Sequence, residues 1–279
     1  MAAAAPANLE PAAEVRRPGR FIGLLRAEWT KIRSVRSTLW TLILFVVITV
    51  GLTAGLTALV VGSWSGPHAA VRDARIIGDP VGFILAAGIG FGQLTICVLG
   101  VLLITTEYST GVIRASLLAV PRRLPMLFAK ITVFTALLLV LAEIVSFGSF
   151  FVGSALLHSK VPVSLGDHNV LRAVVGAGLY LTVLGLFALA IGGLIRHTAG
   201  AIATVIGVVL VLPIITSFLP GDWGAHVDAY LPRQAGMAVL QARAQSGQLL
   251  SAWQGFGIFC LWTLVLLAAS AWLLRRRDA

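Results

Sequence analysis

Six uninterrupted apolar runs set the rhythm of this chain, at residues 39–61, 81–105, 131–157, 174–195, 199–219 and 256–274. Each is about 20 residues or longer, the length at which a rise of ~1.5 Å per residue crosses ~30 Å of hydrocarbon. The runs are apolar on every side, whereas barrel strands alternate apolar and polar positions. Helices also satisfy their own backbone polar groups, which lipid cannot do. The expected fold is an all-α integral membrane protein with six transmembrane helices. The runs take up about half the chain, so no room remains for a large soluble domain.

Ahead of the first run the pattern becomes amphipathic. At 100° per residue, Phe21, Ile22, Leu24, Leu25, Trp29, Ile32 and Val35 share one arc, and Arg26, Thr30, Lys31, Arg33 and Ser34 face the other way. This spacing predicts an interfacial helix over 21–36, lying in the headgroup plane with its apolar side down. Glu28 sits on the apolar arc. It either pairs with Lys31 at i+3 or faces a protein partner. Residues 1–20 are Ala/Pro-rich without the apolar core of a secretory leader, and are expected to form a disordered cytoplasmic tail. The remainder, 21–279, then forms one transmembrane domain.

The polar connections differ in character. The second and third runs are joined by a short basic segment, Thr106-Glu107-Tyr108-Ser109-Thr110-Gly111-Val112-Ile113-Arg114, then Pro121-Arg122-Arg123 and Ala129-Lys130. The stretch 63–79, with Gly, Ser, Pro and Trp, reads as a loop. Arg196-His197 leaves only a tight turn, so the fourth and fifth runs must form an antiparallel hairpin. Pro213 should kink the fifth helix or free a carbonyl. In the longest connection, 220–255, residues 231–250 could form one or two short helices, bracketed by Trp223 and Trp253 as interfacial anchors. No internal repeat is visible, so an inverted-repeat transporter has no sequence support.

Composition agrees with this layout: 58% of residues are hydrophobic, 11% are charged, and the mean hydropathy is +0.95. Most Lys and Arg fall on one side. Arg16, Arg17, Arg20, Arg26, Lys31, Arg33 and Arg36 precede the first run, and Arg114, Arg122, Arg123 and Lys130 lie between the second and third. Arg196 and Arg275 to Arg277 complete the set. Positive residues stay in the cytoplasm, so both termini are expected there, in a multi-pass protein of the plasma membrane. The net charge of +10 therefore matches anionic lipid headgroups. Nucleic acid is not expected as a partner, because the basic residues line a bilayer face. Cys97 and Cys260 both fall inside runs, so no disulfide framework is expected.

Catalytic chemistry is hard to place. The phosphate-cradling pattern Gly-x4-Gly-Lys-Ser/Thr is absent from the sequence. Gly88, Gly90 and Gly92 lie within a run, where close helix packing explains them better. Gly51 and Gly55 read the same way. The five histidines are all in connections, none with metal-ligand spacing. No metal site and no enzymatic activity are expected in this chain. Glu143 lies near the middle of the third run, where a charge costs ~2.5–3.5 kcal/mol or more. Gln93 lies at matching depth in the second, and a hydrogen bond from a protonated Glu143 to Gln93 is expected. That pair is either polar glue or part of a translocation path.

These features together resemble the permease subunit of an ABC-2 type ABC transporter. The resemblance runs from Phe21 to the C-terminus. It is carried by the amphipathic lead-in Ala27-Glu28-Trp29-Thr30-Lys31-Ile32-Arg33-Ser34, by the Glu107-to-Arg114 segment with Pro121-Arg122-Arg123 and Ala129-Lys130, by Tyr230-Leu231-Pro232 with Ala235-Gly236, and by the six-span layout. The resemblance implies that the first helix is a connecting helix. It implies that Glu107, Tyr108, Gly111 and Arg114 belong to a cytoplasmic coupling helix that docks on a separate ATP-binding subunit, which would hold the ATP and Mg, with no cofactor in this chain. A second permease chain, identical or related, completes the dimer. External helices around Tyr230, Pro232 and Gly236 would form the outer gate, and the cargo of an exporter with such apolar spans would be amphiphilic or hydrophobic. Two other classes remain open at this point: an ion-coupled secondary transporter, for which Glu143 is the thin support, and a non-transporting membrane scaffold, which would need no coupling helix.

Overall fold

Each apolar run forms a helix in the computed structural model, which describes residues 20–66, 69–111, 123–219, 222–243 and 247–276. The expected tail at 1–19, and Val112, Ile113, Arg114, Pro121 and Arg122 of the basic segment, lie outside the described residues. In chain order the helices are α1 (Arg20–Ser34), α2 (Arg36–Gly62), α3 (Ala70–Gly78), α4 (Pro80–Ser109), α5 (Arg123–Leu157) and α6 (Val170–Ile195). Next come α7 (Thr198–Ile206), a π-helical turn (Gly207–Val211), α8 (Leu212–Ser217), α9 (Asp222–Tyr230), α10 (Pro232–Met237), a 3-10 turn (Ala238–Leu240) and α11 (Ala252–Arg276). Among the described residues there is no strand. Among the described residues, six helical segments are long and apolar enough to cross a membrane: α2, α4, α5, α6, the α7–α8 run, and α11.

Local chemistry sets the boundaries. α1 stops because Val35 is extended (φ −86°, ψ 107°), and α2 restarts at once from Arg36. Asp79 caps α4, accepting from Gly82 N at 3.1 Å, with Pro80 in the first turn, where a missing N–H costs nothing. At its far end α4 does not stop at residue 105 as the hydropathy suggests. It continues through Glu107 and Tyr108 to Ser109, and Gly111 at φ +70° turns the chain away. Arg196 ends α6 in the left-handed region (φ 59°), and His197 Nδ1 then accepts from Gly200 N to start α7, which makes the expected tight hairpin. The π turn falls just before Pro213. Proline lacks the N–H for the usual i−4 bond, and a widened turn absorbs the lost bond. The stretch 63–79 is not simply a loop. It contains α3, whose Ile76 is buried and whose Asp73 is held by Arg72 and the Ser65 N–H.

α6 is the axis of the bundle. It is buried along most of its length between α4, α5, α7 and α11. α2, the α7–α8 run and α11 lie outside it and show Trp40, Val47, Leu59, Ile214, Phe218, Leu264 and Trp272 to the surroundings. An apolar exterior of this kind is what lipid contact requires. Apolar burial cannot drive helix association in lipid, so the seams rely on close approach and polar contacts. The α2–α4 seam shows this. Thr49, Thr53 and Thr57 form one buried stripe on α2, and Thr49 and Thr53 donate their hydroxyls to Phe45 O (2.7 Å) and Thr49 O (2.9 Å). Facing them are Gly88, where a Cβ would run into Thr49 O, and Gly92, where it would run into Thr49 Oγ1. Gly90, Gly51 and Gly55 have nothing within 4 Å of a built Cβ. The packing role expected for all five glycines therefore belongs to Gly88 and Gly92, because only those two point at the neighbouring helix.

Gly88→Val should destabilise the protein by ~1–3 kcal/mol, the usual cost of overpacking, read as a lower melting temperature in detergent. Gly90→Val should stay within ~0.5 kcal/mol of the parent, as surface substitutions do.

Candidate functional site

The C-terminal end of α4 carries Glu107, the first turns of α5 carry Lys130, and one face of α1 carries Glu28 and Lys31. The fold brings all four together. Lys130 Nζ donates to Glu28 Oε2 at 2.7 Å and to Glu107 Oε1 at 2.8 Å. Lys31 Nζ donates to Glu28 Oε1 at 2.7 Å and to Glu107 Oε1 at 3.1 Å. The result is a closed ring of alternating charge with no net charge. Lys130, Glu28 and Glu107 are buried, at 3%, 3% and 8% exposure, and Lys31 closes the ring from the solvent side.

Burial of four charges is favourable only when each is paired. Burial alone would raise the Glu28 carboxyl. Lys130 and Lys31, by charge and hydrogen bond, outweigh it and hold Glu28 below its ordinary value. Burial would likewise lower the Lys31 ammonium, and Glu28 and Glu107 outweigh it and hold Lys31 above its ordinary value. Of the two options the sequence left for Glu28, the structure shows the pairing with Lys31 and adds Lys130.

A second tie lies beside the ring. The Arg196 guanidinium stacks over the Tyr108 ring, 4.9 Å from its centre, and Arg196 Nη2 donates to Leu273 O at 3.4 Å. The left-handed turn after α6 aims this side chain back across α4 and α11. The ring and Arg196 together fasten α1, α4, α5, α6 and α11 at one end of the bundle.

The remaining expected site residues divide. Trp29 is about half exposed and Arg33 exposed, on the side of α1 away from the ring, whereas Ile32 is buried. The apolar arc of α1 is thus split between a protein-facing edge and an outward edge. Glu107 was expected to offer its carboxylate to a separate protein. Its Oε1 is instead taken by Lys31 and Lys130, because both ammoniums stand at the same depth and an unpaired carboxylate there would be costly. Arg114 lies outside the described residues. Sequence reasoning missed the role of Lys130, and one signal was available: two antiparallel spans with a short connection bring residues 107 and 130 to the same depth.

The expected hydrogen bond between Glu143 and Gln93 is not made. Gln93 Oε1 accepts from Tyr180 OH at 2.6 Å, and Gln93 Nε2 donates to Gly90 O at 2.9 Å. α6 packs on both α4 and α5 and so supplies Tyr180 to Gln93 first. Glu143 sits over Gly178, with Oε2 buried and unpartnered. At the opposite end from the ring, Gly236 in α10 packs under the rings of Tyr180 and Phe259, where a Cβ would not fit. Pro232 is buried in the first turn of α10. Tyr230 is half exposed, its carbonyl accepting from Trp262 Nε1 at 3.2 Å. α10 is therefore wedged onto the bundle axis rather than lying loose above it.

Compared with known proteins, the chain matches no protein-family model and no curated sequence.

Lys130→Met should cost ~3–5 kcal/mol, the scale for orphaning a buried charge. Adding Glu28→Gln and Glu107→Gln should recover much of that loss, with both read by unfolding in detergent. The ring should also set a pH profile. Stability contributed by the lowered Glu28 is complete above its ordinary 4.5 and disappears as pH falls through its lower folded value. That contributed by the raised Lys31 is complete below 10.5 and disappears as pH rises through its higher folded value. A plateau of melting temperature between these limits, shallower at the acid edge in Glu28→Gln, is the expected result.

Proposed function

We propose that this chain is the permease subunit of an ABC-2 type ABC transporter, exporting an amphiphilic or hydrophobic substrate with work supplied by a separate ATP-binding subunit. The observation that carries this is the Glu28–Lys31–Glu107–Lys130 ring. It stands where α4 ends and α5 begins, the two helices flanking the segment expected to dock on the ATPase. It fuses both flanks to α1. A push on that segment then moves α1, α4 and α5 as one rigid body rather than bending a loop.

Charge supports the orientation. The ring end also holds Arg26, Arg33, Arg36, Arg275 and Arg276, a bias that supports a cytoplasmic side for it at a cell membrane, against anionic lipid. α9 and α10, with Tyr230, Pro232 and Gly236, then lie outside as the upper gate. Because α10 rests on Tyr180, and Tyr180 holds Gln93, tilting of the axis helix is felt at the gate. ATP and Mg belong to the partner subunit. A second permease chain would face part of the exposed apolar surface. Glu107 then contributes from within, stiffening the base, and Tyr108, Gly111 and Arg114 supply the contact.

One observation favours a second mechanism, ion-coupled transport: Glu143 keeps an unpartnered carboxyl oxygen at mid-span, where ionisable groups mark proton paths. The two separate in one assay. Purified from its native membrane, the chain should bring with it a nucleotide-binding subunit and show substrate-stimulated ATP hydrolysis. Arg114→Glu should release that subunit while leaving the melting temperature unchanged. Transport by the chain alone in vesicles, driven by an ion gradient and abolished by Glu143→Gln, would replace the ATPase-driven reading.

A further inference from the structure

α4 has an acid at each end. Glu107 at one end has both lysines. Asp79 at the other, about 40 Å away at ~1.5 Å per residue, has no such partner. A cavity of about 510 Å³ opens beside it, lined among others by Asp79, Arg75, Phe83, Asp228, Arg233 and Gln241. This is within the ~300–1,000 Å³ range of small-ligand sites.

The polar groups of this cavity are half satisfied. Asp79 is 3% exposed. Its Oδ1 accepts from Gly82 N at 3.1 Å and Ala242 N at 3.3 Å, while Oδ2 is buried without a partner. Arg233 Nη1 donates to Gln234 Oε1 at 3.0 Å, but its Nε is buried and unpartnered. Gln241 Oε1 is a third orphan. Behind it Arg172 donates through Nη2 to Gln241 O at 2.6 Å and leaves Nη1 unpartnered. Asp228, in contrast, is engaged by Thr216 Oγ1 (2.9 Å) and Gln234 Nε2 (2.8 Å). Burial pushes the Asp79 carboxyl up despite the backbone N–H groups and Arg243, as expected of a group without a committed counter-charge.

Buried polar atoms are nearly always paired. Here the orphans are of both kinds. Two oxygens need N–H or O–H donors, and guanidinium nitrogens need anionic oxygens. The cavity does not close them onto one another. Arg75 stands exposed at the rim, and with Arg172 and Arg243 nearby the cations outnumber the two carboxylates, which favours a ligand whose anionic part is strongly charged. Phe83, Met237 and Leu240 line the rest.

We propose that this cavity binds a small zwitterionic group, a primary ammonium joined by a short linker to a phosphate. The ammonium donates to the Asp79 carboxylate, and the phosphate accepts from Arg233 and Arg75, all three residues lining the cavity. The group is either free or the headgroup of a membrane lipid. The site goes beyond the permease assignment: it depends on no ATPase, and its failure leaves that assignment standing.

The test uses the full chain in phosphatidylcholine nanodiscs, titrated calorimetrically with O-phosphoethanolamine. Saturable binding is expected, weakened roughly ten- to hundredfold, the scale of a charge-assisted hydrogen bond, by Asp79→Asn and by Arg233→Gln. Asparagine still caps α4, and an unchanged elution volume and melting temperature confirm that each variant is folded. Phosphocholine, which has no N–H, should bind at least roughly tenfold more weakly to the parent, a comparison that needs no variant. Repeating the titration in nanodiscs containing phosphatidylethanolamine identifies the source: suppression assigns the lipid headgroup, and undiminished binding assigns the free compound. Absence of saturable binding in phosphatidylcholine nanodiscs, equal binding of phosphocholine, or affinity untouched by both substitutions overturns the proposal.

Discussion

Two carboxylates and two ammoniums closed into a ring hold together the end of this bundle where three helices would otherwise have little reason to meet. In lipid, apolar surface gains nothing by leaving one hydrocarbon environment for another. α1 carries only an edge of apolar residues, with Ile32 buried and Phe21, Ile22 and Trp29 outward. Its position is set by Glu28 and Lys31 meeting Lys130 and Glu107 at 2.7–3.1 Å. Each ion is tolerable there because the other three are present. That mutual dependence makes the ring an all-or-nothing joint, stiffer than a hydrophobic contact of similar size.

The same economy governs the rest of the molecule. Polar side chains in the spans are paired across helices or returned to their own backbone: Tyr180 to Gln93, Ser146 to Val174 O, Thr49 and Thr53 to the preceding turn. Glycines are placed where backbones must approach, at Gly88 and Gly92 against α2 and at Gly236 under the Tyr180 and Phe259 rings. Against that background the exceptions are informative. Among the described residues, Thr57 Oγ1, Ser149 Oγ, Arg196 Nε, Glu143 Oε2 at mid-span and the orphaned atoms around Asp79 are buried without internal partners; of these, Arg196 stands beside the ring. The two ends of α4 thus have opposite characters. One commits its acid to the ring, and the other leaves one carboxylate oxygen buried without a partner beside a cavity.

Among the described residues, the six helices long and apolar enough to span a membrane, their order, the amphipathic first helix, the tight turn at Arg196 and the disturbance near Pro213 were all legible in the residue pattern. Each follows from a local rule: run length against bilayer thickness, a 3.6-residue period, the missing N–H of proline. α3 was not legible, because a short helix among Gly, Ser and Pro leaves no long periodic signal. Nor was the true end of α4, because hydropathy stops at residue 105 while the backbone hydrogen bonds continue until Gly111 breaks them. The candidate site was half legible. Glu28 stood out as a charge on the apolar arc with Lys31 as its i+3 partner, and Glu107 was singled out by the resemblance, yet their convergence on Lys130 was not visible.

Sequence by itself determined how many times the chain can cross hydrocarbon and which faces are polar, since both depend on neighbours within a few residues. Tertiary structure alone decided partnership: that Glu107 turns inward to Lys130, that Tyr180 rather than Glu143 reaches Gln93, that Gly88 packs while Gly51 does not, and that Asp79 opens onto a cavity. These depend on the rotation of each helix about its axis and on which helix occupies the centre. An all-round apolar span carries almost no record of its own rotation, so that information exists only once the helices are packed.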